Sequence, residues 1–285
     1  MLKQFAQTPA ELWLVASVSA FLIGMSKSGI KGMGMLAIPL MARFFGAKAS
    51  TGLILPMLMA GDLFAVWYYH RHADSKSLRR FLPWALIGVV LGTILGEQLP
   101  EDKFKRAMGV IILFSVIALA WWDRRKRKAP IEQEASGTKI RSRLASNSAE
   151  GLKQELAYPE YSKNFFKRYL FSPSLGLTAG FSTMVGNLAG PFANLYFMGL
   201  NMPKNMFIGT CAWFYLLLNW FKLPFHIAVW KTVDANSLPI SLGVLPALGL
   251  GLLVGIRFVD RFPEATYRKF ILFMTALGAI LLWFK

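Results

Sequence analysis

The chain has 285 residues, 55% of them hydrophobic, with 23 Phe, 9 Trp and a formal net charge of +17. The apolar fraction exceeds that of soluble domains, and it is gathered into blocks near the ~20 residues that cross a bilayer, which excludes an ordinary soluble domain. The basic excess fits short loops that set membrane topology better than it fits nucleic-acid binding, and the single cysteine, Cys211, excludes an intramolecular disulfide.

The first predicted element covers Leu12–Phe21. Its apolar core imitates a signal peptide, but Glu11 directly precedes it and only Lys3 is basic upstream, so it reads as a retained span. It runs into "MSKSGIKGMGM" (25–35), where Lys27 and Lys31 stand among small, polar and glycine residues inside apolar sequence. Glycine-rich, non-helical backbone at membrane depth is tolerated only where protein buries it or water lines it. An intramembrane charge points to function; the plainer alternative is a surface loop at the membrane boundary.

Ala49–Tyr69 is the next block, with one charge, Asp62. A coupling-proton site, a partner for a lysine, or a helix–helix hydrogen bond would each account for it. Asn219 stands opposite it at an offset of 157, so both are coupling candidates. Pro56 is expected to kink this helix. His70 and His72, two apart, point different ways on a helix, and with His226 the only other histidine no metal site is expected. Phe81–Gly96 and Ala107–Trp122 are uncharged and complete a first transmembrane repeat, 1–122. Residues 123–168 hold 12 Lys or Arg against six acids and form a basic loop, cytoplasmic by the positive-inside rule.

The second transmembrane repeat, 169–285, opens with 35 uncharged residues, 169–203. As one helix they would measure ~52 Å, too long for one crossing and short for two, so a broken or hairpin pair is expected. Pro191 suits the first position of the new helix. Asn205–Phe221, Ala235–Ile256 and Phe270–Phe284 follow. Trp67, Trp121, Trp122 and Trp283 fit an interfacial belt.

The halves correspond. At an offset of 156, Gly24, Ser26, Gly34 and Lys48 match Gly180, Ser182, Gly190 and Lys204. At 163, Pro83, Gly88 and Gly92 match Pro246, Gly251 and Gly255, and "LPEDKFKRAM" (99–108) matches "FPEATYRKFI" (262–271). The extra residues are expected in a loop around 223–230. The fold class is therefore all-α and polytopic, two homologous repeats each with a broken or hairpin helix pair. Loop charge weakly favours inverted repeats over parallel ones. A helix starting inside the membrane aims free N–H groups and a positive dipole end at its surroundings, and two such starts can make an anion site. The candidate binding residues are Ser26, Lys27, Gly29, Lys31, Gly32 and Gly34 from the first break, and Thr183, Gly186, Asn187, Gly190 and Asn194 from the second.

The two halves with their glycine breaks, "STGLILPMLMAGDLFAVWYYHRHAD" (50–74) and "AGFSTMVGNLAGPFANLYFMGLNMPKNMFIGT" (179–210), resemble the TauE/SafE sulfite-exporter family over nearly all the chain outside 123–168. Its glycines are spaced rather than consecutive, as in a divergent subgroup. The resemblance implies a multi-pass transporter of the plasma or inner membrane that exports a small inorganic or organosulfur anion, sulfite or an organosulfonate, by alternating access. An anion channel, a carrier of another anion such as a carboxylate, and a membrane scaffold or sensor signalling through the basic loop remain alternatives. No nucleophile–base pair or phosphate loop stands out, so neither an enzyme nor a cofactor is expected; the expected partners are the anion and the lipid bilayer, with a homo-oligomer compatible and nucleic acid not expected.

Overall fold

The computed structural model describes residues 9–30, 33–69, 73–127, 165–200, 202 and 204–259. Ten helices and no strand occur among the described residues: α1 (Ala10–Lys27), α2 (Gly34–Phe45), α3 (Ala47–Tyr69), α4 (Ser75–Glu97), α5 (Glu101–Arg127), α6 (Phe165–Gly186), α7 (Ala189–Gly199), α8 (Lys204–Ala228), α9 (Ser237–Gly243) and α10 (Leu245–Val259). Five stretches among them are long and apolar enough to cross a membrane: α1, α3, α4, most of α8, and α9–α10 together. Most of the basic loop, the 262–271 half of the repeat match, Lys31, Gly32, His70, His72 and the 270–284 block lie outside the described residues.

Both expected breaks are present. In the first half α1 stops at Lys27 and α2 starts at Gly34; in the second, α6 stops at Gly186 and α7 starts at Ala189. The short partners, 12 and 11 residues, reach only about 16–18 Å and cannot span alone. Each break turns on one positive-φ residue. Gly29 has φ 124° and Asn187 has φ 56°; glycine has no Cβ to clash there, and asparagine tolerates the left-handed region better than most residues. Pro191 is the third residue of α7 rather than the first. Its missing N–H still falls among the four that a helix start leaves unbonded, so it costs no hydrogen bond.

A second expectation changes more. The loop expected around 223–230 is helical to Ala228, and the turn is at 229–236 instead. Apolar residues at Leu223, Phe225 and Ile227 carry the helix through Pro224. The turn is fixed by Asp234, whose carboxylate accepts N–H bonds from Asn236 at 3.0 Å and Ser237 at 2.8 Å. The Ser237 N–H first of all holds its carboxyl below the usual range. Elsewhere Glu101 accepts the N–H of Ala47 and so closes the start of α3, while Asp74 accepts from Lys76 N and Ser77 Oγ at the start of α4.

Two close helix pairs organise the whole: α4 lies along α6, and α1 lies along α10. Glycines allow both approaches. A Cβ on Gly88 would meet Leu177 O and Phe181 N, and one on Gly180 would meet Ala85 O and Val89 N. Likewise a Cβ on Gly24 would meet Leu248 O and Leu252 N, and one on Gly251 would meet Phe21 O. Each pair joins a helix from before the basic loop to one from after it. The core continues through Phe81, stacked on Tyr196 at 4.2 Å, and Phe214. Large apolar side chains such as Leu14, Trp67, Ile94, Trp220 and Leu253 face outward, as a lipid-facing surface requires.

Because backbone stands where a new methyl would go, Gly180→Ala is expected to destabilise the protein by about 1–3 kcal/mol. Gly249→Ala, which meets nothing within 4 Å, should be neutral or slightly stabilising. Thermal unfolding of both variants in detergent checks the contrast; equal melting temperatures would contradict close packing at Gly180.

Candidate functional site

The two breaks come together. A cavity of about 80 Å³ is lined by Ser26, Lys27, Gly34 and Met35 from the first, and by Thr183, Asn187, Gly190, Pro191 and Asn194 from the second, with Tyr215 and Asn219 from α8. The opening residues of both short helices, α2 and α7, thus face one space, where the unbonded N–H groups of a helix start and its positive dipole end favour negative charge.

Lys27 is buried at the C-terminal end of α1 and forms an ion pair with Asp62, itself fully buried on α3. Its ammonium also lies over the ring of Tyr215, 4.7 Å from the centroid. The flank of its stem packs against Gly61, where a Cβ would press on Lys27 Cγ at 2.8 Å. Asp62 accepts a second bond from Asn219 Nδ2 at 2.7 Å. Of the three readings open for Asp62, the geometry therefore realises the lysine partner and the helix–helix hydrogen bond, and Asn219 is its neighbour in space as well as in offset.

Lys222, one turn after Asn219 on α8, is fully buried. Its ammonium donates to Asn187 Oδ1 at 2.6 Å, Thr183 O at 3.1 Å and Thr183 Oγ1 at 3.3 Å, and it stands 3.5 Å from Asn219 Oδ1. It thereby holds the turn residue of the second break, whose Nδ2 donates in turn to Thr51 O at 3.1 Å. Asn187 has both ends of its amide engaged, and Thr183 Oγ1 accepts from Lys222 and keeps its O–H to donate. Asn194 differs: it is 5% exposed, and its Oδ1 has no hydrogen-bond partner among the described residues. A buried amide oxygen left unpartnered beside a cavity is an acceptor that a water or a donor group would fill.

Of the other sequence candidates, Gly29 and Gly186 are buried but do not line the cavity. Gly186 packs under Leu188 and Met108. Lys31 and Gly32 lie outside the described residues. His226 is buried and pairs through Nδ1 with Thr232 Oγ1 at 2.7 Å, and no group of metal-binding side chains occurs among the described residues. Lys222 is the buried charge at the site that sequence reasoning missed, because a charge at the edge of an apolar block looks like a flank. The findable signal was the polar stripe Asn219, Lys222, His226, at helical spacing i, i+3, i+7.

A family model described as sulfite exporter TauE/SafE matches residues 16–282. No curated protein and no solved structure matches the chain.

Removing one partner of a buried ion pair leaves the other charge unpaired. Lys27→Met is therefore expected to destabilise by about 3–5 kcal/mol, with Asp62→Asn in the same background recovering most of the loss. A double-mutant cycle on thermal unfolding reads this; strictly additive losses would mean that the pair is not coupled.

Proposed function

The chain belongs to the sulfite exporter TauE/SafE family, and we propose that it is a secondary transporter of a small oxyanion or sulfonate, sulfite among them, which it moves outward across the plasma or inner membrane by alternating access. The activity we assign is transport without chemical change of the substrate.

One observation carries the reading: the starts of α2 and α7 line the same cavity, together with the ammonium-bearing Lys27. Helix starts supply N–H donors and partial positive charge at no reorganisation cost. Asn194 Oδ1 is an acceptor as placed, so this residue meets an oxyanion only after its amide turns over to present Nδ2, and Thr183 and Ser26 add hydroxyl donors. Gly34 and Gly190 keep the backbone open to close approach. Lys27 favours the anion electrostatically, but it is shared with Asp62, so its role is to bias the site rather than to bind alone. Lys31 and Gly32 complete the proposed set. Gly29 and Gly186 give the breaks their shape. Asp62 and Asn219 serve here as the anchors of Lys27.

Architecture supports movement about this cavity. The proposed unit is a pair of repeats, 1–122 and 169–285, inverted with respect to each other and crossing the membrane several times each. In support of the repeat reading, Gly24 packs against Gly251 and Gly180 against Gly88, contacts whose residues are related by the sequence offsets of 156 and 163. Rocking of one helix pair against the other would open the cavity to either side in turn.

The test is binding to the purified full chain. Sulfite and methanesulfonate are expected to raise the unfolding temperature in a concentration-dependent way. Asn194→Ala should weaken their binding by about tenfold, the loss of roughly one hydrogen bond to a charged group. Lys231→Met, on the exposed turn after α8, should leave it unchanged. No stabilisation by any small anion, or equal affinity in Asn194→Ala, would reject the site.

A further inference from the structure

Among the described residues, Lys27, Asp62 and Lys222 form one buried cluster with two ammonium groups and one carboxylate. Asp62 is paired with Lys27, whereas every hydrogen-bond acceptor of Lys222 is neutral: two oxygens of Thr183, one of Asn187 and one of Asn219. With all three groups ionised the cluster holds one excess positive charge away from water. Uncompensated buried charge is unfavourable. An anion in the adjoining cavity would balance it, and so would loss of a proton from Lys222. The alternatives are worse. Deprotonating Lys27 strips Asp62 of its ion-pair partner, and protonating Asp62 raises the excess to two. A neutral Lys222 amine keeps two N–H groups for its four acceptors.

We propose that Lys222 couples anion occupancy to proton binding, so that the anion and one proton are taken up together and released together. The proposal rests on the anion site described above. When the anion leaves, the Lys222 ammonium gives up one N–H proton and its nitrogen keeps the electron pair. The proton passes to Thr183 Oγ1, which accepts from Lys222 at 3.3 Å, while the Thr183 O–H gives its own proton to water entering the cavity that Thr183 lines. The charged groups that act on Lys222 are Lys27 on α1 and Asp62 on α3, and Lys222 itself acts on His226. Lys48 of α3 reaches the Trp230 ring that touches His226. From α6 and the break after it, only the neutral Thr183 and Asn187 are bonded to Lys222.

Anchoring also follows. Lys222 holds Asn187 at the second break, so a change in its protonation reaches the shape of the site as well as its charge.

Isothermal titration of methanesulfonate into the full chain, in two buffers of different ionisation enthalpy, counts the protons taken up per anion. The wild type is expected to take up protons on binding, with affinity falling as pH rises from neutral to alkaline. Lys222→Arg, which stays charged, should bind with no proton uptake and little pH dependence. Lys222→Met should bind about tenfold more weakly or worse, also with no uptake. Anion binding by the wild type without proton uptake at any pH from neutral to alkaline would overturn the coupling and leave the site intact. Uptake that persists in Lys222→Arg would place the coupling elsewhere. If Lys222→Arg does not fold, uptake that persists in Lys222→Met would likewise take the coupling away from Lys222. A wild type that binds no anion at all would remove the site and the coupling with it.

Discussion

The buried ion pair between Lys27 and Asp62 is the interaction on which the interior depends. It ties the end of α1, at the first helix break, to the middle of α3. From Asp62 the bonding passes to Asn219 on α8, from α8 through Lys222 to Thr183 and Asn187, and so to the second break. Four elements that contribute little regular hydrogen bonding to one another are held in register by this one chain of polar groups. A buried pair is not in itself a source of net stability, since removing two charges from water offsets much of their attraction. Its value is selectivity: a slipped register would strand a charge, which is far more costly than misplaced apolar contacts.

Around that polar centre the packing is made by backbone contact. Gly24 against Leu248 and Gly251, and Gly180 against Ala85 and Gly88, let two helix pairs approach more closely than side chains would allow. Between apolar helices in lipid there is no hydrophobic gain from burial, so close contact and hydrogen bonds supply the attraction. Small residues thus do for α1–α10 and α4–α6 what a large apolar core does in a soluble domain. The cavity is lined by α1 of one glycine-lined pair and α6 of the other, together with α2, α3, α7 and α8.

The breaks themselves trade backbone hydrogen bonds for chemistry. Interrupting a helix frees N–H groups, which are costly in hydrocarbon unless something meets them. Part of that demand is met locally: Ile30 N–H bonds Met25 O at 3.1 Å, and Leu188 N–H bonds Ser182 O at 3.2 Å. The anion site proposed above draws on this, because helix starts that are costly in hydrocarbon offer N–H donors to an anion.

Much of the fold was legible in the amino-acid sequence. Apolar block length marks the spans, since bilayer thickness and helix rise are constants, and glycine spacing within the blocks marks the breaks. The break at 186–189 follows from a run too long for one crossing, and the approach of Ser26, Lys27, Gly34, Thr183, Asn187, Gly190 and Asn194 from the matched halves. What the sequence could not decide is pairing. Nothing local says that Asp62 takes Lys27 as its partner, or that Lys222 takes Thr183 and Asn187 as its own. Nothing local commits Asn187 to a lysine and leaves the oxygen of Asn194 unbonded. Span and break are set by interactions a few residues long, whereas the partner of a buried charge is set by which helices pack side by side, and only the tertiary structure contains that information.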